Sequence, residues 1–207
     1  MQAALGIKGI IFDLGNVILD FDHRIAAAKI ARFSNMSGED IYNLFFDSPA
    51  TALFETGKVT PEEFFAVVKK RLGLNIGFEE FIPIWNEIFF FSEKNLAVYN
   101  IALRLKKNYR VALLSNINFL HLDYIKRAFP VLDAFHEILA SCELKLRKPD
   151  PEIYSRALQV LGTTSRETFY TDDRPELIEG ANSLGINGFV FKDVARLEAD
   201  LASLNIN

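Results

Sequence analysis

The chain has 207 residues, of which 50% are hydrophobic, and a formal net charge of −4 at pH 7. A chain of this length and composition can bury a substantial core, which argues against a disordered protein and suits one α/β domain that carries an insertion. The slight acidic excess offers no broad basic surface, so we expect neither nucleic acid nor an acidic membrane as a partner. A small molecule is the expected partner, and a monomer or weak homodimer is the expected state.

The single cysteine and the N-terminal segment bear on the cellular compartment. Cys142 cannot form an intramolecular disulfide, and a reducing cytoplasm is therefore the expected location. No histidine or basic cluster adjoins it in the sequence, so a buried structural thiol is expected rather than a reactive one. Lys8 and Asp13 interrupt the apolar start of the chain, which predicts no signal peptide, and no apolar run is long enough to span a bilayer.

The first predicted element is a short strand at 7–12, which ends at Asp13. Its β-branched and aromatic residues are typical of a buried parallel strand, which would deliver Asp13 to the carboxyl end of a sheet. From residue 20 to residue 91, apolar residues recur every three or four positions between breaks such as Pro49 and Pro61. This pattern predicts a block of helices and no strand.

After residue 92, helices and strands are predicted to alternate. The predicted strands lie at 111–114, 138–140, 168–171 and 188–191, and the predicted helices at 93–107, 119–128, 151–161, 175–184 and the C-terminus. This alternation indicates an α/β fold, a Rossmann-like parallel sheet with helices on both faces and a small all-helical insertion after the first strand. The predicted domains are a sheet domain at 1–19 and 92–207 and a helical domain at 20–91.

Polar residues follow the predicted strands, at the edge where open parallel sheets bind ligands. The four groups along the chain are DLGNV at 13–17, Ser115 with Asn116, RKP at 147–149, and Asp172 with Asp173. Each group taken singly is also explained as a turn, a helix cap or a solvated loop. Their combination and order are more specific than any single member.

The ordered set resembles the four motifs of the haloacid dehalogenase superfamily. FDLGNVILD is similar to the first motif, LLSN to the second, the lysine of RKPDPEIY to the third and FYTDDRPELIEGA to the fourth. The chain most resembles the branch of the bacterial α-D-glucose-1-phosphate phosphatases, whose helical cap follows the first strand, and ETGKVTPEEF at 55–64 resembles a cap segment. The resemblance implies a phosphatase that acts on a small phosphorylated metabolite, with a sugar phosphate as the expected substrate.

The resemblance also implies a nucleophile and a metal site. Asp13 would attack the phosphoryl group to form an aspartyl-phosphate, which water then hydrolyses. Asp13, the backbone carbonyl of Gly15 and Asp173 would bind the metal, with Asp172 acting directly or through a water. Hard oxygen ligands of this kind favour Mg²⁺ as the cofactor.

Three further residues would bind the phosphate, again by resemblance. Ser115 and Asn116 would donate hydrogen bonds to phosphoryl oxygens. Lys148 would neutralise charge on the phosphate and on Asp13 during transfer, which makes it both a catalytic and a substrate-binding residue.

Two positions depart from the usual phosphatase pattern. Gly15 stands where these enzymes carry a second aspartate, the general acid, whose help is worth about 10²–10⁴-fold in rate. His121 is a conceivable substitute, although a histidine satisfied inside the core is the simpler interpretation. Leu177 replaces the Asp or Asn that is more common in the fourth motif, which would loosen the surroundings of the metal.

Two other functions stay open. A 2-haloacid dehalogenase also uses a strand-end aspartate and lacks the second aspartate that serves as general acid. It needs no metal, however, so Asp172 and Asp173 would have no function in it. The third possibility is a catalytically weak protein that binds a phosphorylated ligand. The two departures keep it open, and the intact Asp13, Lys148 and Asp173 count against it.

Substrate specificity is expected to come from the insertion, which would close over the site and exclude water. The candidate residues are His23 and Arg24 near the first linker, and Thr56, Gly57 and Lys58 at a turn between helices. Each is equally compatible with an ordinary surface position.

Overall fold

The computed structural model describes residues 6–45 and 48–207, and a parallel sheet organises them. The strands are β1 (Gly9–Phe12), β2 (Asp20–Phe21), β3 (Phe89–Phe90), β4 (Arg110–Ser115), β5 (Glu137–Ala140), β6 (Thr168–Asp172) and β7 (Asn187–Val190). Five of them pair in parallel in the order β5-β4-β1-β6-β7. The chain therefore adds β4 and β5 on one side of β1 before it crosses to β6 on the other side. The carboxyl end of β1 lies at the point where the strand order reverses, and open parallel sheets bind ligands at such a point.

Helices surround the sheet and form the insertion. They are α1 (His23–Ile30), α2 (Gly38–Phe45), α3 (Pro49–Glu55), α4 (Pro61–Leu72), α5 (Phe78–Asn86), α6 (Glu93–Leu105), α7 (Phe119–Ala128), α8 (Ser141–Leu144), α9 (Pro151–Leu161), α10 (Pro175–Ser183) and α11 (Val194–Ser203). Short 3-10 turns occur at Ala31–Phe33, Pro130–Ala134 and Ser165–Glu167. Among the described residues, no helix has both the length and the apolar composition needed to cross a bilayer.

Local sequence signals set many of the helix ends. Before α4, the Thr60 side chain accepts a hydrogen bond from the Glu63 backbone, and the Glu63 carboxylate accepts one from the Thr60 backbone. Pro61 occupies the first turn, and Gly73 ends the helix in a left-handed conformation. These contacts satisfy backbone groups that a helix leaves open at its ends.

Alternating side chains of the sheet enter two separate hydrophobic clusters. Ile10 and Phe12 of β1 belong to one cluster, and Ile11 belongs to the cluster on the opposite face. Val111 and Ala112 of β4 divide in the same way. Because successive side chains of a strand point to opposite faces, this division confirms the predicted sheet with helices on both sides.

The helices of the insertion have a hydrophobic cluster of their own. Its centre contains large aromatic side chains in mutual contact: the Phe64 ring lies 4.3 Å from that of Phe54 and 5.0 Å from that of Trp85, measured between centroids. The predicted division into domains at 1–19 with 92–207 and at 20–91 stays a prediction, and residues 1–5 and 46–47 of it lie outside the described part of the chain.

The strands and helices predicted after residue 92 are confirmed apart from small shifts at their ends, whereas the short helix α8 and the two 3-10 turns in this part of the chain were not predicted. The expectation of no strand between 20 and 91 was wrong, because β2 and β3 pair antiparallel at the two ends of the insertion. A two-residue strand has too few positions to show a period, and these partners are far apart in sequence. The expected structural thiol is confirmed: Cys142 is buried, and burial raises its pKa to about 12.

A tight turn after α3 joins the insertion to the segment around α8. The backbone oxygen of Glu55 accepts a hydrogen bond from Ser141 Oγ at 2.6 Å, and the oxygen of Gly57 accepts one from the Lys145 ammonium group. Gly57 has a φ of +57°, and a Cβ atom added there would lie 2.3 Å from the Cys142 carbonyl oxygen. The contact therefore depends on the missing side chain.

Replacing this glycine tests the contact. We expect Gly57→Ala to lower the free energy of unfolding by about 1–3 kcal/mol more than Gly73→Ala does, since overpacking adds to the backbone cost. Gly73 is the matched control, because its φ is +61° and nothing lies within 4 Å of the added Cβ. Denaturant unfolding measures both variants. Equal losses would show that the turn moves away from the Cys142 carbonyl at little cost.

Candidate active site

Asp13 leaves β1 at the centre of the carboxyl edge of the sheet. Its backbone N–H donates to Thr171 O at 2.9 Å, which extends the pairing with β6 by one residue. The chain then turns sharply: Asn16 adopts a φ of +57°, and its N–H donates to Leu19 O at 2.9 Å. This closed turn holds the Asp13 carboxylate at the edge, as the sequence predicted.

Lys148 is the group around which the edge is built. Only 1% of its side chain is exposed, and its ammonium group donates to Asp13 Oδ1 at 2.7 Å, Asp172 Oδ2 at 2.6 Å, Leu114 O at 2.9 Å and the Tyr170 hydroxyl at 3.2 Å. Asp13 directly follows β1, Leu114 lies in β4, and Tyr170 and Asp172 lie in β6. The lysine therefore ties together the ends of three neighbouring strands.

The electrostatics of this cluster follow from its burial. Burial raises the pKa of Asp13 to about 7, and the negative charges of Asp172 and Asp173 add to this, while Lys148 opposes it. For Lys148, burial alone would lower the pKa, but the attraction of Asp13 and Asp172 outweighs it and raises the pKa. The ammonium group therefore stays charged beside these carboxylates.

Asp13, Asp172 and Asp173 offer oxygen atoms that all lie within 4.8 Å of one another. Asp173 is held by the Asn16 amide, which donates to its Oδ2 at 2.9 Å. Burial raises the pKa of Asp173, and repulsion from Asp172 contributes. Three carboxylates with hard oxygen donors so close together fit a divalent cation such as Mg²⁺.

The two neighbouring aspartates are not equivalent. Asp172 is fully buried and receives hydrogen bonds from Lys148, from the Tyr170 hydroxyl and, at 3.0 Å, from the Arg174 backbone. Asp173 is less buried and lines the cavity at the strand ends. The arrangement suits direct metal binding by Asp173 better than by Asp172.

Ser115 ends β4, Asn116 follows it, and both residues line the same cavity. The Asn116 side chain holds the backbone of Lys148 from both sides: its oxygen accepts from Lys148 N at 2.8 Å, and its amide donates to Lys148 O at 3.0 Å. Asn116 therefore positions the lysine. Its predicted hydrogen bond to phosphate stays a prediction, as does that of Ser115.

The cavity above the strand ends has a volume of about 550 Å³. All the residues predicted to be catalytic, substrate-binding or metal-binding line it: Asp13, Gly15, Ser115, Asn116, Lys148, Asp172 and Asp173. Of the five predicted specificity residues, His23 and Arg24 line it. Within the described part of the chain, Thr56, Gly57 and Lys58 are not among the lining residues, because their turn faces α8 instead.

Phe21 fills the space beside Gly15. A Cβ atom added to Gly15 would lie 2.6 Å from Cε1 of the Phe21 ring. That ring is itself packed, with its centroid 4.8 Å from that of His23 and 6.2 Å from that of Phe89. An aromatic ring therefore stands where a carboxylate at position 15 would begin.

His121 lines the cavity but is satisfied by the protein. Its Nε2 lies 3.1 Å from Trp85 O, which can only accept, so Nε2 carries the proton. Its Nδ1 lies 3.0 Å from the Asn118 amide nitrogen and accepts from it. Burial lowers the pKa of His121 to about 3. Geometry and charge thus favour the simpler interpretation, a neutral core histidine.

Several residues that hold or line the site were not among the predicted ones, and four of them stand out. Asn16 and Tyr170 hold the two aspartates, Phe21 packs on Gly15, and Glu55 lines the cavity from the insertion. Asn16 stood in the quoted DLGN run, which was a usable signal. Tyr170 and Glu55 also stood in quoted segments, FYTDDRPELIEGA and ETGKVTPEEF, but nothing in the sequence assigned them these contacts, and Phe21 carried no local signal. Leu177 is buried and its backbone oxygen accepts from the Tyr154 hydroxyl.

Comparisons with known proteins agree on one family. The sequence model of the haloacid dehalogenase-like hydrolases matches residues 7–185. The chain is 27% identical over 189 residues to D-ribitol-5-phosphate phosphatase from Bacteroides thetaiotaomicron, covering 88% of this chain and 91% of that protein. It is 24% identical over 187 residues to sesquiterpene phosphatase astK from Aspergillus oryzae, covering 90% of each. A solved HAD-family enzyme from B. thetaiotaomicron, in complex with magnesium and inorganic phosphate, is similar with a TM-score of 0.78 and 30% identity, covering 90% of this chain and 95% of that chain.

The contact between Gly15 and Phe21 predicts a coupling between the two positions. Gly15→Ala should lower the free energy of unfolding by about 1–3 kcal/mol, because the added methyl group overpacks the space beside the ring. The same change in a Phe21→Ala background should cost much less. Denaturant unfolding of the four proteins completes a double-mutant cycle. Additive losses would mean that the Phe21 ring is not the obstacle at position 15.

Proposed function

The chain belongs to the haloacid dehalogenase-like hydrolases, and we propose that it is a magnesium-dependent phosphomonoesterase that acts on a small phosphorylated metabolite through an aspartyl-phosphate. The observation that carries this proposal is the ion pair between Asp13 and Lys148, 2.7 Å apart, beside two further carboxylates at the floor of a cavity. A nucleophile, a fixed cation and a set of metal ligands meet there.

Asp13 serves as the nucleophile. Its Oδ1 is bonded to Lys148, which leaves Oδ2 to attack phosphorus as the bond to the leaving oxygen breaks. Water then attacks the phosphorus of the aspartyl-phosphate, releases inorganic phosphate and regenerates the carboxylate. Mg²⁺ bound by Asp13, Asp173 and the carbonyl of Gly15 would offset the repulsion between carboxylate and phosphate dianion.

The remaining residues orient the phosphate and balance its charge. Lys148 lies against Asp13 at a fixed position, so its charge is in place as negative charge builds on the transferred group. Ser115 and Asn116 lie at the end of the neighbouring strand and donate hydrogen bonds to phosphoryl oxygens. Asn116 has a second role, since its side-chain amide holds the Lys148 backbone.

Protonation of the leaving oxygen is the step that the side chains of the site assist least. The carboxylate usual at position 15 is missing, and Phe21 fills the space beside Gly15. His121 is committed to Trp85 and Asn118 and is held neutral. The reaction therefore depends on the leaving group's own ability to depart as an anion.

A sugar phosphate is the proposed substrate class. The similarity to a D-ribitol-5-phosphate phosphatase along most of both chains supports it. A metal-free dehalogenase would leave the cluster of Asp13, Asp172 and Asp173 without a purpose. The narrower resemblance to glucose-1-phosphate phosphatases, the cytoplasmic location and the monomeric or weakly dimeric state stay predictions.

A phosphatase assay with and without magnesium tests the function. The wild-type protein should release phosphate from phosphomonoesters with Mg²⁺, lose this activity in EDTA and regain it when Mg²⁺ is restored in excess. Asp13→Asn should remove turnover by at least about 10³-fold, because an amide cannot accept the phosphoryl group, while circular dichroism shows an unchanged fold. Full activity in EDTA, or activity of Asp13→Asn within tenfold of wild type, would contradict the mechanism.

The missing carboxylate predicts a strong dependence on the leaving group. With little help from a general acid, kcat/KM should fall steeply as the pKa of the leaving alcohol rises, so aryl phosphates should exceed primary alkyl phosphates by well over about tenfold. Steady-state kinetics with a graded series of phosphomonoesters measures the slope. A flat dependence, with chemistry shown to limit the rate, would mean that another group supplies the proton.

A further inference from the structure

Building on the proposed phosphatase function, we propose that the ion pair between Glu55 and Arg147 determines specificity by binding hydroxyl groups of a neutral, polyhydroxylated leaving group. The substrate class is then an alditol or sugar monophosphate. Neither residue touches the reacting atoms in this assignment, and both act on the part of the substrate beyond the phosphate.

The pair spans the insertion and the sheet domain at the wall of the cavity. Glu55 ends α3, and Arg147 immediately precedes Lys148. Arg147 Nε lies 2.8 Å from Glu55 Oε2, and the arginine and glutamate side chains remain 31% and 18% exposed. Both residues line the cavity that contains Asp13. The pair thus lies one residue along the chain from the lysine that contacts the nucleophile.

Both partners are held in place. The backbone oxygen of Glu55 accepts from Ser141 Oγ at 2.6 Å, and the backbone oxygen of Arg147 accepts from Asp150 N at 2.9 Å. On the other side, Lys148 is anchored to Asp13. The ion pair restrains the two side chains and these contacts restrain their backbones, so both residues lose less freedom when they bind a ligand, as a specificity site requires.

The chemistry of the pair favours hydroxyl groups. A guanidinium group has five N–H donors, of which the Nε donor is given to Glu55, and the carboxylate contributes only acceptors. A hydroxyl group both donates and accepts, so vicinal hydroxyls match a neighbouring donor and acceptor. The pair offers both kinds of partner in one place.

The same pair disfavours two other substrate classes. A second phosphate or a carboxylate on the substrate would meet the negative charge of Glu55 as well as the positive charge of Arg147. A purely apolar chain would remove water from the two charged groups and return no hydrogen bond. A neutral polyol avoids both costs, and the rings of Phe21, Tyr42 and Phe89 elsewhere in the cavity can pack against its C–H groups.

Matched substrates separate the hydroxyl groups from the rest of the ester. The wild-type protein should show at least about tenfold higher kcat/KM for D-ribitol 5-phosphate than for n-pentyl phosphate, and for D-glucitol 6-phosphate than for n-hexyl phosphate, since only the polyol esters can form hydrogen bonds to the two charged groups. Each pair has the same carbon number and a primary ester. Because the neighbouring hydroxyls also make the polyol a better leaving group, the part of the preference due to binding is the part that is lost in the ion-pair variants and that persists in binding without turnover. Equal values within both pairs would overturn the proposal.

Variants then assign the preference to the ion pair. Glu55→Gln and Arg147→Gln should lower kcat/KM for the polyol phosphates about 10–100-fold, mainly through KM, and leave the alkyl phosphates within about threefold. Glu137→Gln is the matched control, because Arg110 and Glu137 form a pair of the same length, 2.8 Å, and neither residue lines the cavity. Equal losses on both substrate classes, with a lower unfolding midpoint, would mean that the pair only joins the insertion to the sheet.

Binding distinguishes failure of this proposal from failure of the phosphatase function. Calorimetry with Mg²⁺ and the Asp13→Asn protein should show tighter binding of D-ribitol 5-phosphate than of n-pentyl phosphate. If the wild-type protein hydrolyses no phosphomonoester but keeps this preference in binding, the phosphatase function fails and the specificity site stands. If hydrolysis occurs without any preference in rate or binding, the phosphatase function stands and the specificity site fails.

Discussion

The structure depends on the buried positive charge of Lys148. A charged group enters a protein interior only if its partners replace the water that it loses, and here the carboxylates of Asp13 and Asp172, a backbone carbonyl and the Tyr170 hydroxyl do so. Since these partners come from three neighbouring strands, satisfying the lysine also fixes the relative positions of the strand ends. The requirement of stability and the geometry of the candidate active site are thus met by the same contacts. Asn116 strengthens this arrangement by holding the lysine's backbone.

The insertion completes the site with contacts of a different kind. It has its own hydrophobic cluster, and it meets the sheet domain through specific polar contacts such as Glu55 with Ser141 and His121 with the Trp85 carbonyl. Polar contacts at a boundary constrain position more strictly than apolar packing does, because hydrogen bonds depend on direction. The turn at Gly57 shows how close this approach is, since even a methyl group would overlap the Cys142 carbonyl. The insertion can therefore present Glu55 to the cavity at a defined place.

The surroundings of Gly15 link packing to reactivity. Phe21 occupies space that a second carboxylate would need, and its ring packs against His23 and Phe89. An apolar ring next to the reacting centre excludes water but supplies no proton. In the proposed reaction, the site would stabilise the phosphoryl group but give the leaving oxygen little assistance. Selection among substrates would then depend on the basicity of the leaving group and on its contacts with the cavity wall.

The sequence by itself determined the α/β class, the order of the elements after residue 92 and the set of strand-end residues. Each of these rests on local information: the period of apolar residues, the capping signals and the short motifs around Asp13, Lys148 and Asp173. Prediction from the sequence failed where a contact joins residues that are distant in the sequence. The pairing of β2 with β3, the ring of Phe21 over Gly15 and the ion pair of Glu55 with Arg147 join residues that no local pattern connects. The same reason explains why the turn at 56–58 was assigned to the cavity although it faces α8, and why Glu55, the residue just before it, was overlooked. Only the tertiary structure decides which side chains of a helix end reach a cavity, because that choice depends on how the helices pack on the sheet.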